Sequence, residues 1–170
     1  MDLGVHCIDL IQYITGSKAV KVAGITGTKI FKYEVDDSAS LIFETDKGAN
    51  AYVDVNFNIP DTVAKCRLEF YGTKGSMLAE GTISQVEGGK LEVSISEKAG
   101  GYDAKQDRSD TAPLEIKAEF GNMYTKQIES FSNSVLNKCK AVASFEDTLN
   151  VQRVVEAAYE SSISGKFIFV

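Results

Sequence analysis

Asp2, His6, Asp9 and Tyr13 are separated by four, three and four positions, a spacing that puts all four on one narrow stripe of an α-helix. Two carboxylates beside an imidazole can do acid–base chemistry. A histidine held by an acid has its tautomer and orientation fixed and can exchange a proton near neutral pH. The same residue types are also acceptable metal ligands, although one helix supplies no closed ligand set. In the simplest alternative Asp2 only caps the helix, His6 is a hydrogen-bonded core residue and Asp9 is its partner. Helical spacing by itself does not choose among these three.

The helix that must carry the stripe runs from Met1 to Ile14. Leu3, Cys7, Leu10 and Ile14 flank the stripe on one side, Val5 and Ile8 on the other, and Ile11 lies opposite. A circumference this apolar predicts a buried helix, and two buried carboxylates with an imidazole must then pair or meet a cleft. Thr15-Gly16-Ser17 reads as its stop, with Gly16 in the left-handed conformation.

Strands follow. The stretch 20–31 is β-branched and interrupted by Gly24 and Gly27, where a bend or bulge is expected. Ser38 to Thr45 and Ala49 to Asn58 form a hairpin through Asp46-Lys47-Gly48. In its second strand Ala51, Val53, Val55 and Phe57 alternate with Tyr52, Asp54, Asn56 and Asn58, so one face is core and the other is exposed or lines a site. That nominates Asn56 as a substrate contact. Pro60 breaks the strand, 64–71 and 76–80 pair through Gly72-Thr73-Lys74-Gly75, Leu91, Val93 and Ile95 mark another strand, and 97–113 reads as a polar surface loop.

Two helices close the chain. Asn122 caps the first, whose stripe of Tyr124, Ile128, Phe131 and Val135 predicts core packing. Ser144-Phe145-Glu146-Asp147 has the form of a capping box for the second. Leu149, Val151, Val154, Val155, Ala158, Tyr159 and Ile163 are its predicted buried side, Gly165 its end, and Lys166 to Val170 a last strand. A helix, a run of antiparallel strands and two more helices make an α+β fold with the helices gathered on one face of the sheet. One domain over 1–170 is expected.

Composition narrows the partners. A net charge of −6 repels nucleic acid and anionic membrane surfaces. Cys7, Cys66 and Cys139 are odd in number and scattered, which suggests neither a disulfide framework nor a zinc knuckle and fits a reducing, cytoplasmic setting. No apolar run approaches spanning length, and the start lacks the basic, apolar and cleavage regions of a signal peptide.

Asp2-Leu3-Gly4-Val5-His6-Cys7-Ile8-Asp9 resembles the D-x-G-x-H-x-x-D signature of the Gfo/Idh/MocA family, NAD(P)-dependent oxidoreductases acting on sugars, inositols and related polyols. Tyr71-Gly72-Thr73-Lys74-Gly75-Ser76 is similar to that family's mid-domain hairpin, and Val154-Val155-Glu156-Ala157-Ala158-Tyr159-Glu160-Ser161 to its closing helix. The resemblance implies the C-terminal substrate and oligomerisation domain, an open, mostly antiparallel sheet whose other face supports at least a dimer. It puts His6 in the role of catalytic base, with Asp2 orienting the imidazole or a substrate hydroxyl and Asp9 in support. Tyr13 shares the stripe, and Tyr124 and Gln127 sit where family members often present residues to substrate.

The family's Rossmann domain, with its glycine-rich turn and E-K-P lysine motif, has no counterpart here, since no G-x-G-x-x-G occurs at a strand-to-helix junction. NAD or NADP is therefore expected on an N-terminal domain missing from this chain, which on that reading is a fragment inactive alone. A different class stays open: a stand-alone carbohydrate-binding or oligomerisation module, using the face of Asp54, Asn56 and Asn58 without redox chemistry.

Overall fold

The computed structural model describes residues 1–83, 85, 87–96 and 112–170; the loop expected at 97–113 lies outside the described residues except for its last two positions. In chain order the elements are α1 (Asp2–Thr15), β1 (Ala19–Gly27), β2 (Ser38–Thr45), β3 (Asn50–Asn56), β4 (Arg67–Gly72), β5 (Gly75–Glu80), β6 (Lys90–Ile95), β7 (Leu114–Glu115), α2 (Met123–Asn137), α3 (Phe145–Ser164) and β8 (Ile168–Phe169). The fold is α+β, with antiparallel pairing throughout these strands. Two compact units divide it: Met1–Thr62 with Lys140–Val170, and Val63–Cys139.

The first unit is a four-stranded sheet in the order β3-β2-β1-β8, with α1 and α3 on one face. Alternation in β2 and β3 sends Leu41, Phe43 and Val53 toward the helices, where they meet Val22, Ile8 of α1 and Val151, Val154, Val155 and Ala158 of α3 in one apolar cluster. Each such side chain, fully withdrawn from water, contributes roughly 1.5–3 kcal/mol. Gly24 lets α3 lie close on β1: a Cβ there would stand 2.8 Å from Leu41 Cδ2 and 3.2 Å from the Ala158 carbonyl oxygen. Beyond the short β8, the free edge of β1 is satisfied by α3 itself. The backbone N–H groups of Gly24 and Thr26 donate to Ser161 Oγ and Ser162 Oγ at 3.0 and 2.9 Å. The irregularity expected at the glycines falls instead between Ala19 and Lys21, where the pairing with β2 shifts register.

Helix α1 departs from the expectation of burial on all sides. It buries the line Gly4, Ile8 and Gln12, spaced by four, while Leu3, Tyr13 and Ile14 stay exposed. One sheet face and α3 cover one side of the helix, and nothing among the described residues of this unit covers the other. Gln12, in the buried line, ties the helix end to β1 by accepting from the Ala19 N–H at 2.8 Å. In α3 the capping box, the Gly165 end and the buried Val151, Val154, Val155 and Ala158 are as expected. Leu149 and Ile163 of the expected buried side are exposed, because they lie outside the arc that meets β1.

The second unit pairs β4-β5-β6-β7 in order. The Gly72-to-Gly75 turn closes β4 on β5, with Gly75 against β6 so tightly that a Cβ would stand 2.1 Å from the Ser94 carbonyl oxygen. One face carries an ion ladder in which Arg67 binds Glu80 at 2.7 Å and Glu69 at 3.4 Å. Its other face is only half-buried at Leu68, Phe70, Met77, Leu91 and Val93. Helix α2 is a correction. Asn122 caps it as expected, but no residue of the helix is buried, and Tyr124, Ile128, Phe131 and Val135 face solvent instead of a core.

Candidate active site on the opening helix

The start of α1 decides where the polar stripe points. Met1, not Asp2, occupies the N-cap position and makes no side-chain cap, so Asp2 stands in the first turn, where its negative charge favours the positive end of the helix dipole. Two remote segments hold this start. The Met1 amino group donates to Asp36 Oδ1 at 2.7 Å and to the Tyr159 hydroxyl at 2.9 Å, and the Tyr159 hydroxyl donates in turn to Asp36. Burial works to raise the Asp36 pKa, but the bonds from Met1 and Tyr159 outweigh it and hold the carboxyl below its ordinary value. Burial and the bond to Asp36 push the Tyr159 phenol up to about 12.

Asp37, next in sequence, is almost wholly buried. Its carboxylate accepts from the backbone N–H groups of Lys29, Ile30 and Phe31 at 2.7, 2.7 and 3.0 Å and from Asn58 Nδ2 at 3.3 Å. Those bonds overcome the burial that would raise its pKa, and the net shift is downward. They also fold the connection from β1 to β2, on which Phe31 and Tyr33 stack. Asp36 and Asp37 line a small cavity of about 30 Å³ with Asp2, Leu3, Val55 and Phe57.

Asp2, His6, Asp9 and Tyr13 all lie on the open side of α1 and are all exposed, so His6 is not a core histidine. No hydrogen bond or ion pair joins them among the described residues, and no cluster of His, Cys, Asp and Glu suited to a metal occurs there. Asn56 is placed elsewhere. It alternates out of β3 with Tyr52 and Asp54 on the sheet face turned away from α1, where its amide donates to Asp54 Oδ2 at 3.2 Å. The polar trio does not act as one face, since Asn58 turns inward to Asp37. Tyr124 and Gln127 are exposed on α2, in the other unit.

The residues that sequence reading missed are Asp36, Asp37 and, in its polar role, Tyr159, whose ring it assigned to packing. The available signal was the Asp36-Asp37 pair directly before a strand, since adjacent acids at the edge of an apolar run need donors.

Dinucleotides are held where a glycine-rich strand-to-helix turn offers free N–H groups to the pyrophosphate. The described helix starts do not fit. Those of α2 and α3 are occupied by Asn122 and by the Ser144–Asp147 box, and that of α1 faces Asp2, Asp36 and Asp37, whose charge opposes phosphate. No helix among the described residues is long and apolar enough to cross a membrane.

Three comparisons place this α+β fold among known proteins. Residues 1–169 match the family model described as the oxidoreductase family, C-terminal alpha/beta domain. Glucose-fructose oxidoreductase domain-containing protein 2 from Xenopus laevis is 27% identical, over 97% of this chain and 47% of that protein. Aldose-aldose oxidoreductase from Caulobacter crescentus, in a complex with glycerol, superposes with a TM-score of 0.79 at 20% identity, over 98% of this chain and 46% of its own. Levoglucosan dehydrogenase, in a complex with NADH and levoglucosan, gives 0.79 at 20% identity, over 99% and 49%. The chain belongs to the Gfo/Idh/MocA oxidoreductase family, as its C-terminal domain. It spans about half the length of the relatives it matches.

Proposed function

We propose that this chain is the substrate-binding and catalytic domain of an oxidoreductase that moves hydride between NAD or NADP and a secondary alcohol of a sugar, inositol or related polyol. The observation that carries the reading is the exposed stripe of Asp2, His6 and Asp9 on one side of α1, in a family of oxidoreductases. Sugar-like ligands and NADH are bound by the similar proteins named above, which supports the substrate and cofactor classes without fixing either.

As a secondary alcohol is oxidised its hydroxyl must lose a proton. An imidazole at that oxygen lowers the barrier by taking it, a contribution of typically ~100- to 10,000-fold. In this reading His6 is that base, Asp2 orients the ring or a neighbouring hydroxyl, and Asp9 and Tyr13 contact substrate from the same stripe. The nicotinamide supplies the hydride chemistry and is bound by an N-terminal domain outside this chain, so the isolated chain is inactive. The exposed Leu3 and Ile14 beside the stripe support a covering partner on this side of α1.

The test joins this chain to its dinucleotide-binding domain and follows nicotinamide absorbance across a polyol panel, with and without His6→Ala. A drop of ~100- to 10,000-fold is expected. Turnover that survives unchanged in the variant removes His6 from the mechanism.

The same reading assigns self-association to the sheet face turned away from α1 and α3. Ile25, Ile42, Tyr52 and Phe167 are exposed there around a concavity of about 470 Å³, and Phe169 is exposed on β8. A dimer by light scattering is expected, shifted toward monomer by Ile42→Asp; a wild-type monomer at high concentration argues against it. A cytoplasmic setting, expected from the odd and scattered cysteines, belongs to the same reading.

A further inference from the structure

Residues 28–37, between β1 and β2, form a closed surface loop. Its ends are tied together, the Asp37 N–H donating to the Gly27 carbonyl at 3.1 Å and the Thr28 hydroxyl to the Val35 carbonyl at 2.6 Å. Its middle is drawn onto one charge, since the Asp37 carboxylate, in a residue only 1% exposed, takes the successive N–H groups of Lys29, Ile30 and Phe31. A carboxylate this deep is costly to place unless it is fully bonded. Here its bonds fix the backbone of a loop whose own apolar side chains stay in water, for Ile30, Phe31, Tyr33 and Val35 are all exposed. A fastened loop that turns rings outward is suited to contact.

Phe31 and Tyr33 brace each other, with ring centroids 5.4 Å apart and 22° between their planes. The foot of the loop lies beside the candidate site. The Asp37 carbonyl accepts from the Phe57 N–H at 2.8 Å and its carboxylate from Asn58, which joins the loop to the end of β3, and Asp36, Asp37, Val55 and Phe57 line one cavity with Asp2 and Leu3 of α1. Partial withdrawal from water, then the charges of Asp37 and Asp36, raise the Tyr33 phenol pKa, so its hydroxyl stands in the field of the acids that adjoin Asp2. Carboxylates and aromatic faces side by side match the two halves of a cyclic polyol: the acids accept from its hydroxyls and the rings cover its C–H face.

We propose that Phe31 and Tyr33 form the apolar wall of the substrate site at the Asp2 end of the stripe, and that the substrate is a cyclic polyol, a pyranose or an inositol, in preference to an open-chain one. The proposal rests on the reading of this side of α1 as the substrate site, and its measurements are separate from those on His6.

The test uses the enzyme that joins this chain to its dinucleotide-binding domain, with glucose, myo-inositol and glycerol as probes. Phe31→Ala and Tyr33→Ala each raise KM for the two ring compounds by ~10-fold and leave kcat within about twofold, the mark of lost substrate binding. KM for glycerol, which has no ring face to cover, keeps its wild-type value. Tyr33→Phe retains the ring and with it most of the affinity. Both side chains are exposed, so the urea midpoints of these variants stay near wild type. An equilibrium measurement runs beside the kinetics: saturating the aromatic protons transfers magnetisation to the C–H protons of bound glucose or inositol, and the transfer falls in both alanine variants.

Unchanged KM for the ring compounds in the alanine variants overturns the wall, as does the absence of any transfer to either compound. A rise in KM for NAD or NADP alone, or an equal rise for glycerol, also overturns it, because the rings then meet the cofactor side or act by general distortion. If His6→Ala proves harmless to turnover, the assignment of the base fails, and the ring-compound measurements still decide the wall.

Discussion

Helices α2 and α3 start from similar local signals and meet opposite fates. Each has a side-chain N-cap, Asn122 accepting from the Thr125 N–H and Ser144 from the Asp147 N–H, and each ends on a residue in the left-handed conformation, Lys138 and Gly165. Each carries an apolar stripe at helical spacing. Yet α3 buries Val151, Val154, Val155, Ala157 and Ala158 against β1, whereas the side chains of α2 remain in water, Phe131 at 64% exposure. Periodicity shows that a helix has a face to bury. Whether it is buried depends on a complementary surface, which Val22, Leu41 and Gly24 provide for α3.

The difference is largest in the response to a buried charge. Val154→Asp puts an unpaired carboxylate into the core and should destabilise the first unit by more than ~4 kcal/mol. Phe131→Asp on α2 should change stability by no more than ~0.5 kcal/mol. Urea unfolding of both variants measures the contrast, and a comparable loss in the second would mean that α2 is covered in solution.

A smaller effect separates the caps. Ser144→Ala should cost ~1–2 kcal/mol of global stability, because the turn it closes is packed on the core. Asn122→Ala should fray α2, seen as faster exchange at Thr125, without moving the global midpoint. Acid should sharpen the same contrast. The Lys18 ammonium, 2.5 Å from Asp147, and the Ser144 hydroxyl hold that carboxyl far below its ordinary range. A depressed folded pKa stabilises above the unfolded value of about 3.9 and is lost as pH falls through the folded one. The first turn of α3 should therefore loosen progressively below about pH 4, while the uncharged Asn122 cap is indifferent. Amide spectra from pH 6 to 2 test this, and a pH-insensitive α3 start would contradict it.

Much of this fold was legible one element at a time. The β2 span, the Asp46-Lys47-Gly48 turn, the Asn122 cap and the Ser144 box are set by a few adjacent residues, and the structure has each of them. The stripe of Asp2, His6, Asp9 and Tyr13 was legible for the same reason, because helical spacing fixes which residues share a side. The misplaced expectations concern surroundings: α1 closed on all sides, α2 packed in a core, and Asn58 grouped with Asp54 and Asn56.

By itself the sequence determined the helices, the hairpins, the α+β class and the family motif, since each is written in neighbours a few residues apart, where backbone geometry leaves few choices. Only the tertiary structure decided that the stripe faces outward, that Asn56 lies across the sheet from His6, and that Asp36 and Tyr159 meet at the helix start. Those outcomes depend on contacts between segments far apart in the chain, such as Asp36 with Tyr159, 123 positions away, and no local spacing encodes such a meeting.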